Sequence, residues 1–213
     1  GVQITGCRAV GEVVVTNDDN QIVNMGGLVG RMQAAYRADS RATITWDAFV
    51  TASSTDVELS GNGTPHSAGG IVGYLSAADI SAIAYVSNSC SSGRTSGAMR
   101  TGGIVGTMGR FASVSNCYSV SQVSSNNSIN IPNLTEQFKG SYAGGIVGYA
   151  EEDTVIAGCY AANASLTAYC VRNDERYKKT GDFAAYYDKA GTSSIESSAV
   201  LLINNSQAVE NHP

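Results

Sequence analysis

The side chains able to do chemistry are few and widely spaced. Among its 213 residues the chain has five cysteines and two histidines, His66 and His212. Short acidic runs occur at Asp18-Asp19 and at Glu151-Glu152-Asp153. A hydrolytic triad needs a nucleophile, a base and an orienting carboxylate within reach of one another. His66 follows Pro65 far in sequence from any Ser–Asp pair and reads as a turn residue. Calcium takes about six to eight oxygen ligands at defined offsets; neither acidic run supplies them, and both read as solvated loop carboxylates. Thiolate zinc sites pair their cysteines closely, whereas no Cys-x-x-Cys occurs. The patterns assign no catalytic residue, no metal ligand and no cofactor, and leave the binding residues unknown.

Two residue types remain. Cys90, Cys117 and Cys159 each close a similar short element, which would stack them in one column. In such a column cysteine acts as a small buried hydrophobe, and parallel Cα–Cβ vectors suit a disulfide poorly. Stacked free thiols are expected, with Cys159 and Cys170 the pair to bridge if any does. Tyr74, Tyr149, Tyr118 and Tyr160 fall at outward-type positions. Outward tyrosine rows can stack on a sugar face and donate a hydroxyl, or can serve only to steady neighbouring strands; both readings stay open.

The elements that position these residues are repeats. Gly26-Gly27-Leu28-Val29-Gly30 returns as Gly-Gly-Ile-Val-Gly at 69–73, 102–106 and 144–148. Self-similar units of this size bury their apolar faces on one another and therefore stack. A second element recurs at Ile4–Cys7, Ile44–Asp47, Ser87–Cys90, Val114–Cys117, Ile156–Cys159 and Ile195–Ser198. A third, strand-like stretch is seen at 12–16, 56–59, 119–124 and 165–170. The expected fold is all-β: a right-handed parallel β-helix of about five rungs, three short strands to the turn. Residues 1–204 would form one solenoid domain and 205–213 a polar tail.

Alternation within the glycine motif places Leu28, Gly30 and Met32 inward, which turns Val29, Val72, Val105 and Val147 outward. That outer valine row requires a covering loop or a partner. Asp47 stands at an inward position, so a register shift there should turn Trp46 or Ala48 inward. Residues 33–41 could hold one helical turn. The stretch 171–193 lacks the glycine motif and collects charge, as an atypical last rung would.

A net charge of -5 with 15% charged residues leaves no basic stripe and argues against nucleic acid. No apolar run is long enough to span a membrane. The low charge and abundant Ser, Thr and Asn point to an extracellular or cell-surface location, with any export signal or anchor upstream of Gly1.

Gly-Gly-Ile-Val-Gly followed by Val-Ser-Asn-Cys-Tyr-Ser-Val, clearest over Gly102 to Val120, resembles the GLUG-motif repeats of bacterial surface proteins. The likeness covers about residues 1–165, with an echo at 195–201; it departs from the pattern at Asp47 and in the missing glycine motif before Ser198. Such repeats occur in adhesin-like proteins of gut Bacteroidetes and in the non-catalytic region of some IgA-cleaving metallopeptidases. The resemblance implies a non-catalytic structural or adhesive module of a cell-surface or secreted protein. Its partners would be a host or bacterial surface protein or glycan, and neighbouring domains of the same polypeptide. The alternatives are a carbohydrate-active β-helix that binds or cleaves polysaccharide, and the accessory repeat region of a secreted metallopeptidase. The motif itself is structural and carries over no site residue.

Overall fold

The computed structural model of the chain describes residues 1–17, 23–38, 43–63, 65–97, 99–127, 140–170, 178–187, 194–196 and 199–200. All regular structure among them is β, and every strand pairing is parallel except that of Thr43–Trp46 with 35–38. The chain passes repeatedly through four sheets in a fixed order. Sheet A holds Val2–Thr5, Ala48–Thr51, Ala84–Ser87, Ala112–Ser115, Val155–Ala157 and Ser194–Glu196. Sheet B holds Arg8–Asn17, Ser54–Gly63, Cys90–Gly97, Tyr118–Ser119 with Gln122–Asn127, Tyr160–Ala161 with Leu166–Cys170, and Ala199–Val200. Sheet C holds Val23–Gly26, Pro65–Gly69, Arg100–Gly102, Ser141–Gly144 and Lys178–Gly181. Sheet D holds Val29–Ala38, Val72–Ala77, Val105–Met108, Val147–Ala150 and Ala184–Tyr187. Neighbours within a sheet come from successive passages, which makes the fold a parallel β-helix.

Each coil thus has four strands, not three. The glycine motif is no single strand but the corner where sheet C turns into sheet D. Its geometry excludes side chains: a Cβ on Gly102 would strike the Val105 carbonyl, and one on Gly103 the Gly145 carbonyl and the Ser119 hydroxyl. Strict alternation fails across such a corner. Ile71, Ile104 and Ile146 are therefore fully buried, and so are the adjacent Val72, Val105 and Val147. Both rows pack against Val50, Val86, Val114 and Ile156 of sheet A in the main core. The supposed outer valine row is core, and needs neither a loop nor a partner. Each fully buried Ile or Val contributes about 1.5–3 kcal/mol relative to exposure. A second, smaller core of Met25, Val57, Leu59 and Ala68 lies between sheets B and C.

The corner from sheet A to sheet B uses the left-handed region at Gly6, Ala52, Asn88, Asn116 and Gly158, with φ between 47° and 65°. The residue that follows, Cys7, Ser53, Ser89, Cys117 or Cys159, holds the coils together. Cys7 N–H donates to Ser53 Oγ and Ser53 N–H to Ser89 Oγ, both at 3.2 Å. The Ser89 and Cys117 amides donate in turn to the sulfurs of Cys117 and Cys159. Cys90 lies outside this column. It pairs with Ser54 and Tyr118, one residue further on, because Val86 stacks on Val114 and brings Ser89 level with Cys117.

No register shift occurs at Asp47: Thr43–Trp46 pairs antiparallel with 35–38 instead of joining the repeat column, and Ala48–Thr51 pairs in unbroken register with Val2–Thr5 and Ala84–Ser87. Ala48 points inward and is buried. The Asp47 carbonyl accepts the Val2 amide and its Oδ1 the Ile83 amide at 3.0 Å. Val50–Ser53, rather than Ile44–Asp47, takes the place of the second element. Residues 33–38 are extended, not helical, and 35–38 form a hairpin with Thr43–Trp46. Near the C-terminus a degenerate glycine motif does exist: Gly181 pairs with Gly144, Ala184 with Val147, and Phe183 accepts the Val147 amide as Ile146 accepts that of Val105. Ile195 stacks on Ile156 as expected. The tail 205–213 and His212 lie outside the described residues.

Candidate binding surfaces

The four tyrosines singled out in the sequence fall into two unrelated environments. Tyr74 and Tyr149 belong to a sheet D row that runs Arg31, Tyr74, Thr107, Tyr149, Tyr186. Opposite it, sheet C presents Asn24, Ser67, Arg100, Tyr142 and Lys179 in register. The rows meet with an offset of one coil. Ser67 Oγ lies 2.6 Å from Thr107 Oγ1, the Arg100 guanidinium 3.9 Å from the centre of the Tyr149 ring, and the Tyr142 ring 5.9 Å from that of Tyr186. Tyr149 and Tyr186 stack at 4.5 Å. Arg31 covers Tyr74, and Lys179 covers Tyr186, at each end of the row.

This clasp is largely closed. Arg100 is 6% and Tyr142 8% exposed, and Ser67 and Thr107 are fully buried. Burial pushes the Tyr149 hydroxyl up to about 12 despite the opposing pull of Arg100. An arginine over an aromatic face, desolvated on both sides, is worth about 2 kcal/mol or more. Tyr74 and Tyr149 therefore join two sheets rather than offer rings to a ligand.

Tyr118 and Tyr160 are different. They pair on the outer face of sheet B and are 50% and 55% exposed. The strand they start alternates strictly outward and inward through Tyr118, Ser119, Val120, Ser121, Gln122 and Val123. Further along the next coil Tyr169, paired with Asn126, is again 55% exposed. Sequence reasoning missed Tyr169, Gln122 and Asn126, although counting alternate residues from Tyr118 and from Ser165 would have found them. Beneath this face the inward side chains are small and hydrogen-bonded: Ser91 Oγ lies 2.7 Å from Ser121 Oγ, and Asn163 Nδ2 donates to Ser119 Oγ at 2.9 Å.

The residues set aside as chemistry fall apart in space. His66 sits in a sheet C strand beside Arg100 and Ser67; burial and then the Arg100 charge hold its imidazole down to about 4. Arg110 pairs with Glu152 at 2.9 Å and with Asp153 at 3.1 Å across two exposed turns. Cys7, Cys90 and Cys117 are free thiols; the expected Cys159–Cys170 pair falls on a Cys170 side chain that lies outside the described ones. The sulfur contact of Cys159 to Cys117, together with burial, raises the Cys117 thiol. Among the described residues no group of three or more His, Cys, Asp or Glu side chains gathers to hold a metal ion. Asp18 and Asp19 lie outside the described residues.

Comparison with known proteins adds one finding. No curated protein and no solved structure matches the chain. Residues 139–167, however, match the family model of the GLUG motif. That segment spans one C–D–A–B passage: a glycine corner, a core strand, the left-handed corner at Gly158 and the start of the outer face. The preceding coils repeat the same order of sheets, with Gly6, Ala52, Asn88 or Asn116 at the left-handed corner, so the GLUG motif at 139–167 is one copy of a repeat that runs along the chain.

Proposed function

We propose that this chain is a non-catalytic structural and adhesive module of a bacterial cell-surface or secreted protein, which displays its sheet B face to a partner. The observation that carries the reading is how the reactive side chains are used. Cys7, Cys117 and Cys159 stand in the coil-to-coil column, His66 and Arg100 sit in the sheet C–sheet D clasp, and Arg110, Glu152 and Asp153 tie neighbouring turns. The uncommitted chemistry of sheet B is uncharged and aromatic at Tyr118 and Tyr160. A rod of stacked parallel coils also suits a spacer, since every added coil lengthens it by about 4.8 Å without altering its section.

The test is enzymatic. Purified chain incubated with neutral and acidic polysaccharides should release no reducing ends and no unsaturated uronic products. Sustained release above a heat-denatured control would overturn the non-catalytic reading in favour of a carbohydrate-active β-helix. Location is tested separately, by protease shaving of intact cells of the source organism: the repeat should be cleaved or released, and full protection would count against surface display.

A further inference from the structure

Resting on the adhesive reading above, we infer that the C-terminal half of the outer sheet B face is a binding site for an uncharged, extended oligosaccharide, with Tyr118 and Tyr160 as its stacking platform. The argument begins with how charge is distributed along one continuous face. In the first three coils the outward positions include Arg8, Glu12, Asp56, Glu58 and Arg94. In the next two they are Tyr118, Val120, Gln122, Ser124 and Asn126, and then Tyr160, Thr167 and Tyr169. Ionisable side chains other than tyrosine disappear from this half, while exposed rings, amides and hydroxyls take their place.

That composition selects a ligand class. A nucleic acid or sulfated chain requires cations to neutralise its phosphates or sulfates, and the described outward positions of this half have none. A protein partner requires a contiguous apolar centre that can be desolvated, whereas here Gln122, Ser124, Asn126 and Thr167 separate the two ends of the patch. A pyranose ring has an apolar face of C–H bonds and a polar rim of hydroxyls. The first matches a tyrosine ring, and the second matches amide and hydroxyl side chains that can both donate and accept.

The layout also sets the ligand's shape. Tyr118 and Tyr160 are neighbours across the ladder, about 4.8 Å apart, and form one platform. Tyr169, level with Asn126, lies eight residues along the strand direction from the Tyr118 row, or about 26 Å away. A single sugar cannot reach both ends, and a chain of several units lying along the strands can. The contacts are spread along an extended strand direction, so binding should be weak per site and favour long polymers.

The experiment is affinity electrophoresis of the whole chain through gels containing mannan, xylan, dextran, soluble β-glucan or, as the charged comparison, heparin. At least one neutral polymer should retard the protein. In the double variant Tyr118→Ala/Tyr160→Ala the apparent affinity should fall at least tenfold. Tyr85→Ala, which removes a ring stacked on Phe49 elsewhere on the molecule, should leave retardation unchanged. Tyr118→Phe/Tyr160→Phe, which keeps the rings, should fall in between. Far-UV circular dichroism melts of each variant establish that the exposed substitutions leave the fold intact. Retardation by heparin alone, by no polymer, or equally in wild type and the Ala double variant would overturn the assignment. Cleavage of a bound polymer would instead overturn the non-catalytic reading and leave this site standing.

Discussion

Acid should weaken this protein through His66 before the carboxylates titrate. The imidazole lies in a sheet C strand whose neighbour carries Arg100, and burial, then that fixed positive charge, bring it from 6.5 to about 4. The unfolded chain therefore takes up a proton that the folded chain refuses. The stability that comes from a neutral His66 is complete above pH 6.5 and disappears as pH falls through 4. At about 1.4 kcal/mol for each pH unit between the two values, the full loss is about 3 kcal/mol, of which about 2 kcal/mol is gone by pH 5. Against a typical domain stability of about 5–15 kcal/mol that is a large fraction.

Urea unfolding followed by circular dichroism at pH 7.5 and pH 5.0 measures the difference, for wild type and for His66→Gln. Wild type should lose about 2 kcal/mol more than the variant over that interval, with unchanged denaturant slope. Arg100→Gln should reduce the loss without abolishing it, because burial outranks charge as the cause. Equal pH dependence in wild type and His66→Gln would refute the reasoning. Complete suppression by Arg100→Gln would show that the charge, and not burial, governs the site.

Four further outcomes follow from the same structure. Cys117→Ser should change stability by less than about 1 kcal/mol, since Ser53 and Ser89 already fill that column, whereas Cys117→Val should cost about 2 kcal/mol by orphaning the Ser89 amide; thermal melts of both variants compare them. Gly103→Ala places a methyl against the Gly145 carbonyl and the Ser119 hydroxyl and should cost about 3 kcal/mol, read as a lowered urea midpoint. Ala52→Gly relieves a left-handed φ of 49° and should raise the melting temperature slightly, by about 0.5 kcal/mol equivalent. With Tyr149 held up to about 12, its folded state resists ionisation while the unfolded chain ionises near 10. Stability from this group is therefore whole below pH 10 and lost as pH rises toward 12, and Tyr149→Phe should melt less steeply with pH over that window.

The sequence reveals the stacking far better than the coil's cross-section. Repetition of Gly-Gly-Ile-Val-Gly identifies parallel stacking because every copy must meet a like copy. It does not reveal that the motif is a bend, since a strand and a tight corner can share the same five residues; only the collision a Cβ would make at Gly102 or Gly103 distinguishes them. The outward placement of Val72 and Val105 followed from treating the bend as straight. Cys90 was drawn into the thiol column for a related reason: cysteine is more conspicuous than serine, yet the column asks only for a small side chain that accepts an amide hydrogen bond, and Ser89 meets that demand. The last glycine corner escaped notice because Phe183 and Ala184 replace Ile and Val while keeping Gly181 and the core contact.

The same logic tells where function can lie. A position that recurs in every coil solves the problem of stacking, and its residues are interchangeable among those that solve it: Gly at the collision points, Ile or Phe at the corner, Ser or Cys in the hydrogen-bonded column. Such columns are constrained by the coil above and the coil below, so they are poor places to evolve a partner's contacts. Freedom exists where a row changes character from coil to coil without breaking the ladder. The row that begins Arg8, Ser54 and Cys90 and becomes Tyr118 and Tyr160 is one of these. The sheet C row that runs Asn24, Ser67, Arg100, Tyr142 is another, but it is closed by the facing strand. Of these two rows, the sheet B row is the one that reaches solvent and that a ligand can touch.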